Sequence, residues 1–220
     1  MNLNDDFSRR VAVHAARLPW APSPTTGIDR RMLDRIGDEV ARATTVVRYA
    51  EGSRFPSHIH DGGEEILVLE GDFCDETGTF PAGTYLRNPP GSRHAPGSAT
   101  GCVILVKLRQ FHPLDAEQVR IDASCVPFVD VSEREGVVIA PLYRNAHEDV
   151  RIERWAPDAV IRLLATVGME LLVIDGDFEE QGALFERESW LRLPAGAELL
   201  ARAGKLGAKL WVKLGRYAPT

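Results

Sequence analysis

The sequence predicts an all-β chain built as two copies of one barrel or sandwich, and three observations carry that expectation. Nineteen glycines and 14 prolines punctuate short runs rich in Val, Ile, Leu, Thr and Tyr. No helical period is sustained; Pro113 to Ile121 is the one stretch that reads as a short helix or turn between the halves. Finally, the chain repeats itself at about half its length, as two copies of one fold require.

Taken in order, the strands expected in the first half are Arg42 to Tyr49, Glu64 to Glu70, Thr84 to Asn88 and Gly101 to Leu108. Those expected in the second half are Val150 to Trp155, Glu170 to Asp175, Ser189 to Leu193 and Ala208 to Leu214. The repeat aligns them. Glu65-Ile-Leu-Val-Leu-Glu-Gly-Asp-Phe73 matches Glu170-Leu-Leu-Val-Ile-Asp-Gly-Asp-Phe178 at an offset of 105. Tyr85-Leu-Arg-Asn-Pro-Pro-Gly91 matches Trp190-Leu-Arg-Leu-Pro-Ala-Gly196 at the same offset. Arg48-Tyr-Ala50 meets Arg154-Trp-Ala156, and Val106-Lys-Leu108 meets Val212-Lys-Leu214, both at 106. Two domains are therefore expected, residues 1–112 and 113–220.

Composition removes several classes of function. The formal charge of −6 and the absence of a basic run argue against nucleic acid as a partner. The longest apolar stretches, such as Ile66 to Leu69, are far short of the roughly 20 residues that span a bilayer. Met1 to Arg10 lacks the apolar segment of a secretory signal, so a cytoplasmic location is expected. Cys74, Cys102 and Cys125 fit neither a disulfide framework nor a zinc knuckle and read as free thiols. Cys102, early in a strand, reads as a small buried hydrophobe unless a nearby cation activates it.

One constellation carries chemistry. His58 and His60 lie two apart, so on a strand both imidazoles leave the same face. Gly62 and Gly63 permit a turn that returns Glu64 beside them, and Pro89-Pro-Gly91 punctuates a second turn that delivers His94. Three neutral imidazoles and one carboxylate suit a borderline divalent ion: Zn, Fe, Mn, Ni or Cu. Tyr85, Arg54, Arg87 and Arg93 lie nearby in sequence as candidates for holding an anionic or enol-type ligand, with surface arginine as the plainer expectation.

These residues resemble the cupin motif pair. Gly52-(x)5-His58-x-His60-(x)3-Glu64-(x)6-Gly71 reproduces the first motif in full. Gly83-(x)5-Pro89-x-Gly91-(x)2-His94 reproduces most of the second, with Ser98 where the motif closes on Asn. The resemblance implies a double-stranded β-helix of cupin or jelly-roll type, duplicated as a bicupin. It also implies one divalent metal ion in the N-terminal cupin, on His58, His60, Glu64 and His94. The wording is similar to one branch, the ChrR-type cupins of anti-sigma factors. Phe55-Pro-Ser-His-Ile-His60, Gly63-Glu-Glu-Ile-Leu-Val-Leu-Glu-Gly-Asp-Phe73 and Tyr85-Leu-Arg-Asn-Pro-Pro-Gly-Ser-Arg-His-Ala-Pro96 carry that likeness. The branch implies zinc first, with Fe, Mn or Ni as alternatives. It pairs its cupin with a helical sigma-binding domain bearing a His-(x)3-Cys-(x)2-Cys site. This chain has neither feature, so a sigma factor is the weaker expectation for a partner.

In the second half the ligand positions fall on Leu163 or Leu164, Ala165 or Thr166, Met169 and Leu199. A cation has no ligands there, so that copy is expected to be metal-free with an apolar filling. Two functions follow for the first copy. One is a regulatory or sensor protein, in which a metal such as zinc shapes a barrel or binds a small-molecule ligand. The other is a metal-dependent dioxygenase acting on a small enolisable substrate such as a diketone. No dedicated general base or nucleophile stands beside the ligands, so whether a reaction occurs stays open. Sheet edges make a homodimer a further expectation.

Overall fold

A computed structural model of the protein describes residues 1–38 and 40–215. Among them the one helical element is a 3-10 turn, Ala15–Arg17, and every ladder is antiparallel. No helix is long and apolar enough to cross a membrane. The three cysteines are free. Arg42–Tyr49, Thr84–Asn88 and Ser189–Leu193 run between the expected residues. Others extend further: Glu64–Asp75, Met169–Glu180 and the 19-residue Ala197–Gly215.

The chain divides into two compact units, Met1–Asp5 with Leu18–Cys125, and Asp6–Arg17 with Val126–Thr220. In the first, the main sheet runs Asn2–Leu3, Ile28–Ile36, Arg42–Tyr49, Cys102–Leu108, Glu64–Asp75, Thr84–Asn88, Val119–Asp122. His58–His60 and Ser92–His94 form a separate two-stranded ladder. In the second, the order is Val129–Asp130, Val137–Arg144, Glu148–Trp155, Ala197–Gly215, Met169–Glu180, Ser189–Leu193, Val11–His14.

The outer strand of each sheet corrects the expected divide between residues 112 and 113. Val119–Asp122 pairs with Thr84–Asn88 and so stays with the first unit. Val11–His14 pairs with Ser189–Leu193 and belongs to the second. The reason is edge satisfaction: each added strand hydrogen-bonds a backbone edge that is otherwise unpaired. The segment read as a helix or turn, Pro113 to Ile121, opens on a turn closed by the Asp115 amide on the His112 carbonyl at 2.9 Å and then runs as irregular chain into this edge strand.

Two cores follow from the alternation of side chains. Ile28, Val47, Tyr49, Ile66, Val68, Phe73 and Ile104 pack in the first unit. The second unit packs a larger cluster that includes Trp155, Met169, Phe178, Phe185, Leu199 and Leu210.

Candidate metal centre

Backbone register brings the predicted residues together. In the short ladder His94 lies directly opposite His58, and Ser92 opposite His60, so two imidazoles face each other across the strands and the third is two residues along. The His60 carbonyl accepts from both the Gly63 amide (3.1 Å) and the Gly91 amide (2.9 Å), which pins the two turns to each other. Glycine is needed at the first of them. A Cβ on Gly62 would meet Arg109 at 2.7 Å, and one on Gly63, whose φ is 75°, would meet the Phe111 ring at 2.6 Å. The chain can then re-enter at Glu64, the first residue of its strand, opposite Asn88.

The resulting donor set is compact. His60 Nε2 and His94 Nε2 lie 2.9 Å apart, and Glu64 Oε2 is 3.4 Å from the first and 3.2 Å from the second. Each of His58, His60 and His94 offers a ring nitrogen within 4.8 Å of the others. Adjacent donors about 2.1 Å from one ion sit roughly 3.0 to 3.4 Å apart, which is the range of the His60, His94 and Glu64 separations. The three histidines fit a metal site, and the Glu64 carboxylate stands at its side.

Neighbouring groups set which nitrogen is free. The Pro56 carbonyl accepts from His58 Nδ1 at 2.8 Å, and Asp75 Oδ2 faces His94 Nδ1 at 3.4 Å, which turns both Nε2 lone pairs inward. Asn88 Nδ2 donates to Glu64 Oε2 at 3.0 Å, and Arg120, on the edge strand Val119–Asp122, donates to Asn88 Oδ1 at 2.7 Å. Burial pushes the His60 pKa down, against the pull of Glu64. Burial acts the same way on His94, but Glu64 and Asp75 outweigh it and the net shift is upward. For Glu64, burial favours the neutral acid, yet the His94 hydrogen bond, the neighbouring imidazoles and Asn88 hold its pKa below the ordinary carboxylate value.

Residues 8–112 match the model of the ChrR cupin-like domain family. Solved structures place the whole chain in the cupin fold. A proposed dioxygenase from Nostoc punctiforme superposes with a TM-score of 0.75 at 14% identity, covering 100% of this chain and 84% of that one. A cupin 2 conserved barrel domain protein from Leptotrichia buccalis gives 0.63 at 12%, covering 97% and 99%. The Escherichia coli pirin YhhW, in complex with nickel(II), gives 0.65 at 16%, covering 94% and 100%. No curated protein is significantly similar in sequence.

The site opens into a cavity of about 360 Å³. His58, His60 and Glu64 line one part of it, Val47, Tyr49, Ile104 and Val106 its apolar walls, and Arg30, Arg35 and Arg109 also border it. The arginines picked from sequence proximity are elsewhere, and none of Arg54, Tyr85, Arg87 and Arg93 lines the cavity. Tyr85 donates to Glu65 at 2.8 Å, and Arg87 pairs with Asp115 at 2.6 Å, so both are structural. Ser98, in place of the motif's closing Asn, donates to the Asp72 carbonyl at 2.6 Å. Burial pushes the Cys102 thiol up to about 11, which keeps it protonated and unreactive.

The second unit answers the ambiguity in the repeat. Leu163 lies opposite Leu199 and Ala165 opposite Ala197, the register of His58 with His94 and of His60 with Ser92. Met169 stands opposite Leu193 as Glu64 stands opposite Asn88. Ala165, Met169 and Leu199 are fully buried in the apolar cluster.

Proposed function

We propose that the protein is a metal-binding, ligand-responsive cupin of the ChrR-like kind, with a regulatory or sensing role. A divalent ion, zinc before iron, manganese or nickel, would be held by His58, His60, Glu64 and His94. The observation that carries this reading is the convergence of those side chains at an open cavity rather than in a closed shell. A purely structural zinc site is closed on all sides by protein ligands, whereas a site that faces a cavity can admit a further molecule.

The residues divide the work. His58 and His94 are fixed in one tautomer by Pro56 and Asp75, which presents lone pairs rather than protons to a cation. Glu64 stays ionised inside the protein and offsets part of the cation's charge. When bound, the metal supplies a Lewis-acidic centre with a net charge of about +1, which attracts anionic or enolate oxygen. The apolar walls exclude water around whatever binds. A small molecule is the partner this arrangement serves. A sigma factor, a nucleic acid or a membrane is not called for by any residue of the site, and the net charge of −6 disfavours nucleic acid.

A second reading, a metal-dependent dioxygenase acting on an enolisable substrate, draws on the same open cavity and on the likeness to the Nostoc protein. Elemental analysis of the purified protein, then oxygen uptake with diketones after anaerobic Fe(II) loading, separates the two. Zinc with no oxygen uptake supports the sensor. Oxygen consumption that disappears in His60→Ala supports the enzyme, and a protein that retains no divalent metal refutes both.

A further inference from the structure

The strand Ile28–Ile36 carries an arginine where its alternation calls for a core residue. Ile28 belongs to the apolar core, and Arg30, two residues on, shares its face. Arg30 lies opposite Val47, and Val47 opposite Ile104, so the three form one row across the sheet and all three line the cavity. Its Nε is buried without a hydrogen-bond partner, and among the described residues Arg30 makes no ion pair. A second guanidinium, Arg35, also borders the cavity, with its own donors on the backbone carbonyls of Gly37 and Asp38. Burial and the proximity of Arg35 both push the Arg30 pKa down, as expected of a cation that lacks a counterion.

The equivalent position in the second unit shows that the fold does not require this charge. Val137 faces Trp155 as Ile28 faces Tyr49, which places Ile139 at the position of Arg30, and Ile139 packs against the apolar core. A partly buried guanidinium without an ion pair, set among apolar side chains, is available to an anion that enters the cavity.

We propose that the cavity binds a small carboxylate with an apolar body, its carboxylate on Arg30 beside Arg35 and its hydrocarbon against Val47, Tyr49, Ile104 and Val106. This deepens the functional reading above and rests on it only for what the far end of the molecule meets, the face of His58, His60 and Glu64. Arginine suits the task because its planar donor fork matches the two oxygens of a carboxylate. A volume of about 360 Å³ suits a compact ligand.

The test is calorimetric titration of the full chain with hexanoate, 1-hexanol and hexylamine, each with zinc and after chelator dialysis. Hexanoate is expected to bind at least about tenfold more tightly than the alcohol, with the amine weakest. Arg30→Met should weaken hexanoate about tenfold or more and leave the alcohol unchanged, and Arg30→Lys should restore part of the loss. Arg48→Gln, an exposed arginine that pairs with Asp29, should change nothing. If Arg30→Met does not fold by circular dichroism, Arg30→Lys and the wild-type ligand series decide. Equal binding of hexanoate and hexanol overturns the proposal, as does hexanoate binding that needs zinc but not Arg30. Zinc binding without hexanoate binding refutes this inference and spares the metal centre; hexanoate binding through Arg30 without zinc does the reverse.

Discussion

The two units share a scaffold and differ in what fills its interior. Glu65 accepts from Tyr85 in the first, and Glu170 accepts from Trp190 in the second at 3.1 Å. Arg87 stacks over Phe111 at 4.2 Å, and Arg192 over Phe7 at 4.0 Å. A Cβ on Gly71 or on Gly176 would meet the carbonyl oxygen of Gly101 or Gly207 at 2.1 Å, so both copies need glycine at the same strand crossing. Against this constancy, His58, His94, Glu64 and Asn88 are exchanged for Leu163, Leu199, Met169 and Leu193. Asp75, which faces His94, has its counterpart in Glu180, which pairs with Arg10 instead. The barrel is thus held by residues distinct from those that make the site, and the site can be lost without loss of fold.

Exchanging residues between the twins sharpens or breaks that separation. The largest effect is expected from Met169→Glu, which puts a lone carboxylate into a fully buried apolar core and should cost about 4 kcal/mol in chemical denaturation. A neutral outcome there would mean the second interior is not filled. Next, His94→Leu copies the twin into the first unit. It should lower zinc affinity by at least about 100-fold while the apo protein stays folded, measured by competition with a chromogenic chelator. Asn88→Leu removes the hydrogen bond that orients Glu64 and should weaken zinc by about 10- to 100-fold, and unchanged affinity would exclude Glu64 as a ligand. The last test is pH, which acts on all the ligands of the first copy at once and has no counterpart in its twin. The His94 pKa is raised, so protons compete with the metal there as pH falls, and each proton displaced lowers apparent zinc affinity about tenfold per pH unit. Equilibrium dialysis between about pH 8 and about pH 5 should show this decline, and a flat profile would remove imidazole from the ligand set.

Much of this was legible in the chain because it is local. Strand cores such as Cys102–Leu108 announce themselves by apolar runs between turn formers. The four candidate ligands lie in two short motifs whose turns are written as Gly62-Gly63 and Pro89-Pro-Gly91. What escaped depends on long-range pairing. Ile28–Ile36, with the sequence IDRRMLDRI, carries five charges in nine residues and does not read as a strand, so the inward position of Arg30 was hidden. Val11–His14 and Val119–Asp122 are four residues each and gain their strand character only from the edge they cover. Asp75 and Arg120 reach the site from strands 19 and 26 residues away from His94, distances over which no spacing rule operates.

The crossing of edge strands has an evolutionary corollary. A gene that shed everything after Cys125 would strand residues 6–17, whose only sheet lies in the part removed, at the head of the copy that keeps its histidines. Each copy therefore completes its sheet with a strand that lies outside its own half of the sequence.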